Sequence, residues 1–484
     1  MIIIASFAVT SSMAAVKLDF TTVDMLTYRC YQEKKWDSVI LIGKQALHQD
    51  IDYYYLRVRM GISYFEKTEY FPASVHLKKA RAFNSEDPII ADYLYYAYVY
   101  SGRVDEAGLV PRLKPGAGEP GVIREVHAEA GYTISSDRAP TNLATLMMDD
   151  SIYGEQDLYG NSFYSNLGLN LVASKRVSFS LAYNYLNFNK TKYIQYGKGE
   201  DHLESITDSA WGKSYNYTFP WVIYDTGFKY QVSQHEVYIG STVILPGGFK
   251  ILPAFHWIHV SYNSVNPSYT RDTVQDTAFY TSFDNTYHTF PYMRIIYSFD
   301  RKDTSFNNYL AALRITKDLG IFNIGLEGSW SNLNNKKQKQ VGVSLTYFPL
   351  GNLNLYGTTT ATGFMQGKAK RLLLSQVLGA KITPWMWGEA NFYYGDYTNA
   401  NIFNGSVVYN NSDIIDYRAG ASLIFLLGKH IRLSLVYQYF RKESQQTYYI
   451  KTQDPDTQLI KEVQQIKNNP YNTNTLIGGI TWKF

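Results

Sequence analysis

The chain has 484 residues, which leaves room for more than one domain. Aromatic residues make up 16% of it, with 44 Tyr, 25 Phe and 8 Trp, yet the mean hydropathy is only −0.26. No uninterrupted apolar run reaches the ~18 residues that a membrane helix needs, which argues against a helical membrane protein. The net charge of +4 comes from 46 basic and 42 acidic residues spread along the chain, so nothing favours nucleic acid as a partner.

The N-terminus, from Met1 to Ala15, has an apolar core followed by small residues, with Ser12-Met13-Ala14 as an acceptable cleavage triplet. We interpret residues 1–15 as a signal peptide. It lacks a positive n-region, so the true start of the signal lies upstream or the segment is a disordered or packed N-terminus instead.

Residues 20–110 show helical spacing and an internal repeat. Sliding the sequence by 34 residues aligns side chains of similar character in three copies: Leu26, Met60 and Leu94; Cys30, Tyr64 and Tyr98; Trp36, Tyr70 and Val104; Val39, Ala73 and Ala107. The pattern resembles the tetratricopeptide (TPR) repeat, a helix-turn-helix unit of 34 residues. The resemblance implies a surface on 20–110 that binds a periplasmic or outer-membrane protein partner; the alternative is a plain helical bundle.

Residues 111–121 are rich in Pro and Gly and predict a linker between two domains. From 122 to 484, segments of about ten residues alternate apolar and polar side chains. Short connections, one of them expected at Val232 to His235, alternate with longer polar ones, as in outer-membrane barrels with short periplasmic turns. We predict an all-β antiparallel transmembrane β-barrel of about sixteen strands, with roughly fourteen to eighteen possible. A soluble β-sandwich is the alternative.

The last segment places Phe484, Trp482 and Ile480 on one apolar face, with polar residues between them. A chain that ends on such a strand resembles bacterial outer-membrane barrels, in which the terminal aromatic residue is the membrane insertion signal. The resemblance implies contact with outer-membrane lipid and places the helical domain in the periplasm.

No catalytic, cofactor or metal site is expected. His256 and His259 are three apart in a predicted strand, so they should point to opposite faces and cannot share a metal ion. The candidate functional residues are charges predicted to face the lumen: Glu125, Glu129, Arg294, Arg314, Glu327, Glu389, Asp416, Arg418 and Arg432. Charges of mixed sign can line a polar pore, pair across it and partly close it, or be satisfied within the wall with no further role.

The order of signal peptide, repeats, linker and terminal Phe resembles outer-membrane exporters of secreted polysaccharides. This resemblance implies an export or translocation channel component that handles a polymer. The longer repeat arrays of those exporters are absent here. A non-conducting barrel that serves as a scaffold or accessory subunit of a larger outer-membrane assembly is the alternative, and lumen conductance separates the two.

Overall fold

The computed structural model describes residues 18–111, 122–138, 151–199, 202–209, 212–218, 221–280, 287–453 and 460–484. The predicted signal peptide at 1–15 and all but one residue of the predicted linker at 111–121 lie outside this part. The chain forms two compact units. The first contains the described residues before position 112 together with Asp318–Asn323 and Tyr347–Tyr356, and the second contains the remaining described residues.

The first unit is built from six helices that follow the repeat of the sequence. They are α1 (Phe20–Gln32), α2 (Trp36–His48), α3 (Tyr54–Glu66), α4 (Tyr70–Phe83), α5 (Pro88–Tyr100) and α6 (Val104–Ala107). Helices α1, α3 and α5 begin 34 residues apart, and so do α2, α4 and α6. Among the described residues, no helix is both long enough and apolar enough to cross a bilayer.

Small residues set the distance between neighbouring helices. A Cβ atom on Gly43 of α2 would lie 2.4 Å from Sδ of Met60, and one on Gly61 of α3 would lie 2.7 Å from Cγ of Leu77. Both distances are far inside van der Waals contact, so only glycine lets these helices approach so closely. The apolar core of the unit, which includes Met60 and Leu77, depends on this approach.

Each helix pair reverses direction through one residue in the left-handed backbone region. These residues are Lys34, Thr68 and Gly102, with φ of 54°, 61° and 76°, and they too recur every 34 residues. Only glycine adopts this conformation without steric cost, so the first two turns carry strain that the third lacks. The packed helix pairs hold the strained turns in place.

The segment Tyr347–Tyr356 packs on α4 within the same unit. The backbone N–H of Phe71 donates to the carbonyl of Gly351 at 2.9 Å, and the rings of Phe71 and Phe348 stack with centroids 4.0 Å apart. The side-chain amide of Asn352 also donates to the carbonyl of Thr68, at 3.1 Å. Gly351 has a φ of 64°, so the turn needs a residue that tolerates the left-handed region.

The second unit is dominated by a closed antiparallel barrel. The strands are β1 (Ile123–Ser135), β2 (Ser151–Ser174), β3 (Val177–Gly199), β4 (His202–Ser209), β5 (Gly212–Thr218), β6 (Trp221–Leu245), β7 (Phe249–Tyr280), β8 (Tyr287–Leu319), β9 (Phe322–Ser331), β10 (Gln338–Tyr347), β11 (Leu355–Gln366), β12 (Ala369–Thr383), β13 (Met386–Tyr394), β14 (Asn401–Ile402), β15 (Val407–Val408), β16 (Ile414–Leu427), β17 (Ile431–Gln453) and β18 (Ile460–Lys483). Fourteen of them form the ring β1-β18-β17-β16-β13-β12-β11-β10-β9-β8-β7-β6-β3-β2. Strands β4 and β5 form a separate two-stranded sheet, as do β14 and β15.

The ring has fourteen strands, so the expected number of about sixteen is wrong, although fourteen lies within the predicted range. The turn expected at Val232 to His235 does not exist. Strand β6 runs through these residues and pairs Gln234 with Leu186 of β3 and with Val260 of β7. The polar Ser233-Gln234 pair resembles a turn in sequence, but Gln234 points inward and is only 3% exposed. Polar residues occur both in turns and on the inner face of barrel strands, so their presence alone does not mark the end of a strand.

One end of the barrel has short connections between strands, at 175–176, 320–321, 384–385 and 428–430; we call these the short turns. Near them, the barrel wall has an apolar outer face and a polar inner face. In β10, the outward residues Val341, Val343 and Leu345 are exposed, whereas the inward residues Gln340 and Ser344 are buried. Aromatic side chains are exposed on the outer face at many strand ends: Trp330, Trp385, Tyr394, Tyr437 and Trp482. An apolar band with flanking aromatic residues is the outer surface that a bilayer requires.

Farther from the short turns, the two faces exchange character. On the outer face, the ring nitrogen Nδ1 of His259 lies 3.0 Å from Oδ1 of Asn307, and Asn263 donates to Asp303 at 2.5 Å. On the inner face lies an apolar cluster, which we call the loop-side core: Tyr159, Phe188, Tyr230, Val232, Ile258, Val260, Leu333 and Tyr471. This part of the barrel thus buries apolar side chains inside and carries polar side chains on its outer face, the arrangement of a water-soluble protein.

His76 of α4 is a titratable group inside the helical unit. Its ring stacks on Tyr64 with centroids 5.3 Å apart, and its Nδ1 lies 3.1 Å from Nη1 of Arg57. Arg57 is itself paired with Asp52 at 2.7 Å. Burial lowers the pKa of His76, and the positive charge of Arg57 acts in the same direction, so that the pKa is about 4. The imidazole is therefore neutral in the folded unit at neutral pH.

We expect the helical unit to lose stability as the pH falls from about 6.5, the ordinary pKa of histidine in an unfolded chain, through about 4. In this range the unfolded chain binds the proton more readily, so the stabilisation present above pH ~6.5 is lost. Amide hydrogen exchange of α3 and α4 in the full-length protein measures this loss. The variant His76→Phe, which keeps the ring stacked on Tyr64, should show a weaker pH dependence between these values; an unchanged dependence contradicts the assignment.

Candidate functional site

A segment between two adjacent barrel strands folds into the barrel interior. It runs from 395 to 413, between β13 and β16, and contains β14 and β15; we call it the lumen segment. Five consecutive residues, Tyr397 to Asn401, are buried. The segment turns sharply at residues with positive φ: Gly395, Asn399, Phe403, Asn404 and Gly405. Asn and Gly tolerate this backbone region best, which explains why a sequence rich in them can fold back on itself.

The tip of the lumen segment contacts β7 and β8. Nδ1 of His256 lies 2.8 Å from the carbonyl oxygen of Gly405, and the side-chain amide of Asn404 donates to the carbonyl of Leu252 at 2.9 Å. A Cβ atom on Gly405 would lie 2.3 Å from Cδ2 of Leu310, and its φ is 80°, so any other residue there would displace Leu310 and strain the backbone. Because β16 is fourth and β7 eleventh in the ring of fourteen, these contacts join opposite walls of the barrel.

Reciprocal amide hydrogen bonds hold the middle of the lumen segment to β9 and β10. The backbone N–H of Asn401 donates to Oε1 of Gln340 at 2.9 Å, and Nε2 of Gln340 donates to the carbonyl of Asn401 at the same distance. The side-chain amide of Asn401 donates to Oγ of Ser329 at 2.9 Å. This pattern satisfies polar groups that would otherwise be buried without partners.

The two ends of the segment are fixed on the near wall. Asp396 pairs with Arg371 of β12, which also donates to the carbonyl of Thr398 at 2.9 Å. At the other end, Arg418 of β16 donates to the hydroxyl of Tyr409 at 2.7 Å, and Tyr471 of β18 donates to Asp413 at 2.5 Å. The lumen segment is therefore held at both ends, in the middle and at its tip.

A buried acid–base pair supports the tip. Oε2 of Glu236 lies 3.2 Å from Nε2 of His256, a side chain with no exposed surface. Glu236 also accepts hydrogen bonds from Asn184 at 2.8 Å and from Gln234 at 2.5 Å. Both ring nitrogens of His256 thus lie near oxygen atoms, Oε2 of Glu236 and the carbonyl oxygen of Gly405. The side chain of Glu236 is buried and accepts hydrogen bonds, as buried polar groups in proteins usually do.

The predicted lumen charges are distributed around the wall. Arg432 lies 4.0 Å from Glu125, which accepts a hydrogen bond from Asn170 at 2.7 Å. Glu389 accepts from Ser422 at 3.2 Å, and Arg314 donates to Ser344 at 2.9 Å. The others lie as follows: Glu327 accepts from Thr362 at 3.5 Å, Glu129 packs beside Gly479, Asp416 is partly exposed, and Arg294 lies in β8 with its side chain outside the described part.

Arg418 is a predicted lumen charge whose side chain contacts the lumen segment, and its partners are aromatic residues instead of carboxylates. Its guanidinium lies over the rings of Tyr393 and Phe440, with its carbon 4.6 Å and 5.6 Å from their centroids. It donates to Tyr409, as described above. Aromatic faces attract a guanidinium through their quadrupoles, which stabilises this buried cation. Asp416, two residues away on the same strand, is not its ion-pair partner among the described residues.

Sequence reasoning missed Gln234, Glu236 and the role of His256. The predicted turn at Val232 to His235 conceals the first two, although Gln234 and Glu236 have the period-two spacing of one strand face. His256 and His259 do point to opposite faces, since the first is buried inside and the second contacts Asn307 on the outer face. No group of three or more His, Cys, Asp or Glu side chains in the described ranges is arranged to hold a metal ion.

Neither a protein-family model nor a curated protein matches this sequence. Among solved structures, it is similar to a FadL homologue of Pseudomonas aeruginosa, with 8% identity over 75% of this chain and 90% of that chain and a TM-score of 0.38. The toluene transporter TodX of Pseudomonas putida matches at 6% identity over 74% and 90%, with the same TM-score. Omp33 of Acinetobacter baumannii matches at 8% over 75% and 100%, with a TM-score of 0.32.

We expect His256→Leu to destabilise the barrel by about 1–3 kcal/mol, because Glu236 and the carbonyl of Gly405 lose a buried partner. His259→Leu, a change of the same chemistry on the outer face, should cost no more than about 0.5 kcal/mol. The measurement is the unfolding midpoint in urea, followed by the shift between folded and unfolded bands on unheated gels. Equal effects of the two substitutions would show that the contact with the lumen segment does not stabilise the barrel.

Proposed function

We propose that the protein is an outer-membrane transport barrel, a component of an export or translocation channel, whose lumen is closed at rest by the lumen segment. The observation that carries this proposal is the set of hydrogen bonds that joins Gly405 and Asn404 to the wall opposite β16. The apolar outer band and the exposed Trp482 and Phe484 support a location in the outer membrane.

The contacts of the lumen segment are of a kind that allows opening. Most are single hydrogen bonds between amides, carbonyls and hydroxyls, as between Asn401 and Gln340. Each such bond contributes only about 0.5–1.5 kcal/mol net, because water or a polar substrate can replace it. Displacement of the segment exchanges these partners, and it also separates the buried Tyr397 and Ala400 from the apolar cluster that they form with the wall residues Phe364, Leu373, Tyr393 and Ile415. A polar polymer that enters the lumen could supply the replacement bonds.

We expect the intact protein to show small or no steady conductance in a planar bilayer. Replacing residues 396–412 with a short Gly-Ser linker should give a large, stable conductance, since the segment across the lumen is then absent. The linker can be short because β13 and β16 are neighbouring strands, with Tyr394 opposite Tyr417. If the shortened protein assembles and still does not conduct, the alternative of a non-conducting scaffold is favoured.

Two inward-facing arginines supply a matched pair of point variants for the same recording. Arg418→Ala removes the hydrogen bond to Tyr409 of the lumen segment and should produce more frequent openings. Arg432→Ala removes the same charge, but its partners Glu125 and Thr481 are barrel residues, so openings should be no more frequent than in the unmodified protein. Equal behaviour of the two variants would attribute any change to lumen charge alone.

The helical unit is proposed to lie in the periplasm and to bind a protein partner through residues 20–110. Its large exposed apolar side chains occur mainly on the first helix of each pair: Phe20, Met25, Tyr28, Tyr55, Ile89, Tyr96 and Tyr100. Tyr28 and Tyr55 both lie against Arg59, whose guanidinium carbon is 5.2 Å and 5.8 Å from their ring centroids. TPR repeats use the corresponding helices to line a concave binding surface.

We expect the double variant Tyr28→Ala and Tyr55→Ala to lose proteins that the intact protein recovers in pull-downs, because exposed aromatic residues commonly carry binding energy. The control is Val75→Ala with Phe83→Ala on α4, which removes exposed apolar surface from a second helix. Recovery of the same proteins by both double variants would mean that this surface has no partner.

A further inference from the structure

Beside the lumen segment lies a cavity of about 310 Å³ within the barrel unit. Strands β3, β6, β7 and β8 form its walls, and Asn410, Asn411 and Ser412 of the lumen segment form one side. Its volume is at the lower end of the ~300–1,000 Å³ typical of small-molecule sites. The cavity therefore suits one small ligand or one unit of a chain, and it excludes a folded protein.

Three lysines and one aspartate line the cavity. Lys192 is 3.1 Å from Glu155 and 3.9 Å from Asp157, so its charge is largely balanced. No carboxylate of the described residues lies within ion-pair distance of the other two, Lys190 and Lys302. These two lysines give the cavity an excess of positive charge, which favours an anionic ligand.

The remaining lining combines aromatic rings with amides and hydroxyls. The aromatic residues are Phe188, Tyr230, Tyr262 and Phe306, and the amides belong to Gln234, Asn266, Asn334, Asn410 and Asn411. The buried Oδ1 of Asn411 accepts no hydrogen bond from any described residue. A buried acceptor without a partner is costly, and a ligand hydroxyl could supply the missing donor.

From these three features we propose that the cavity binds an acidic sugar unit, a pyranose ring that carries a carboxylate. The lysines would bind the carboxylate, the amides would bond the ring hydroxyls, and the aromatic rings would pack on the apolar C–H faces. A fatty acid would leave Oδ1 of Asn411 without a donor, and a neutral sugar would leave Lys190 and Lys302 without a counter-charge. This inference rests on the proposed transport function, because the acidic sugar would be a unit of the substrate that the barrel transports.

Asn410, a residue of the lumen segment that lines the cavity, makes hydrogen bonds that attach the segment to its surroundings. Its amide donates to Oδ1 of Asn308 at 3.0 Å, and its Oδ1 accepts from the backbone N–H of Asn334 at 2.6 Å. Both Asn334 and Asn410 line the cavity. A sugar bound there lies against the hydrogen bonds that hold this end of the segment to the wall.

The test is isothermal titration calorimetry on the full-length protein in detergent, with glucuronate, glucose and benzoate as probes. Glucuronate should bind at least tenfold more tightly than either of the others, because glucose lacks the charge and benzoate lacks the hydroxyls. Added salt should weaken its binding, since the charges are partly solvated. Lys190→Gln and Lys302→Gln should each weaken glucuronate binding about tenfold, because charge-assisted hydrogen bonds are the strong ones.

Lys368→Gln, in the turn between β11 and β12 and outside the cavity lining, is the matched control and should bind as the intact protein does. Equal affinity for glucose and glucuronate overturns the acidic class, and tighter binding of benzoate overturns the sugar. Unchanged binding in both cavity lysine variants, or no glucuronate binding at all, overturns the site. Calorimetry requires no conduction, so its failure is distinct from failure of the conductance change on removing the lumen segment.

Discussion

Closure of the ring is the constraint on which the rest of the structure depends. Strand β1 pairs with β18 from Glu125 opposite Lys483 to Ser135 opposite Thr473, so the first and last barrel strands leave no open edge. In a bilayer, each unsatisfied backbone group costs several kcal/mol, and a β-sheet satisfies all of its backbone groups only when it is closed. Once the ring is closed, the alternation of every strand assigns one set of residues to lipid and the other to the interior. The polar inner face on which the lumen segment binds follows from this assignment.

The polar groups on the inner wall of the barrel require a segment with polar groups of its own to pair with them. The lumen segment presents backbone amides, asparagines and short turns, and the wall presents Gln340, Ser329 and the pair of Glu236 with His256. An apolar segment would leave those wall groups unsatisfied. The same amide chemistry continues into the cavity, where Asn410 and Asn411 face the lysines. Binding of a polar ligand and displacement of the segment therefore depend on the same type of hydrogen bond.

Much of the barrel could be predicted from the sequence because the alternation of lipid-facing and lumen-facing residues is local. The alternation predicted for 122–484 is present in β16 and β17, where Leu423, Leu435 and Tyr437 are exposed while Arg418 and Ser422 are buried. The sequence does not determine the number of strands, because the polar pair Ser233-Gln234 is compatible both with a turn and with the middle of a strand. The inward charges could be listed, but their partners depend on the ring order. Arg418 meets Tyr409 only because residues 395–413 fold inward, which no local pattern indicates.

Along β7 and β8 the apolar side chains change from the outer face to the inner face, so one pair of hydrogen-bonded strands suits a lipid environment at one end and water at the other. At the end of the barrel where β8 connects to β9, the apolar side chains face outward, and the interior contributes little hydrophobic stabilisation. Beyond His259 and Asn307, the loop-side core is removed from water inside the barrel, so the hydrophobic effect acts there as in any water-soluble β protein. Strand β7 has 32 residues, about 100 Å at ~3.3 Å per residue, against a hydrocarbon layer of ~30 Å. The part of the barrel beyond the hydrocarbon layer thus takes its hydrophobic stabilisation from the loop-side core and not from lipid.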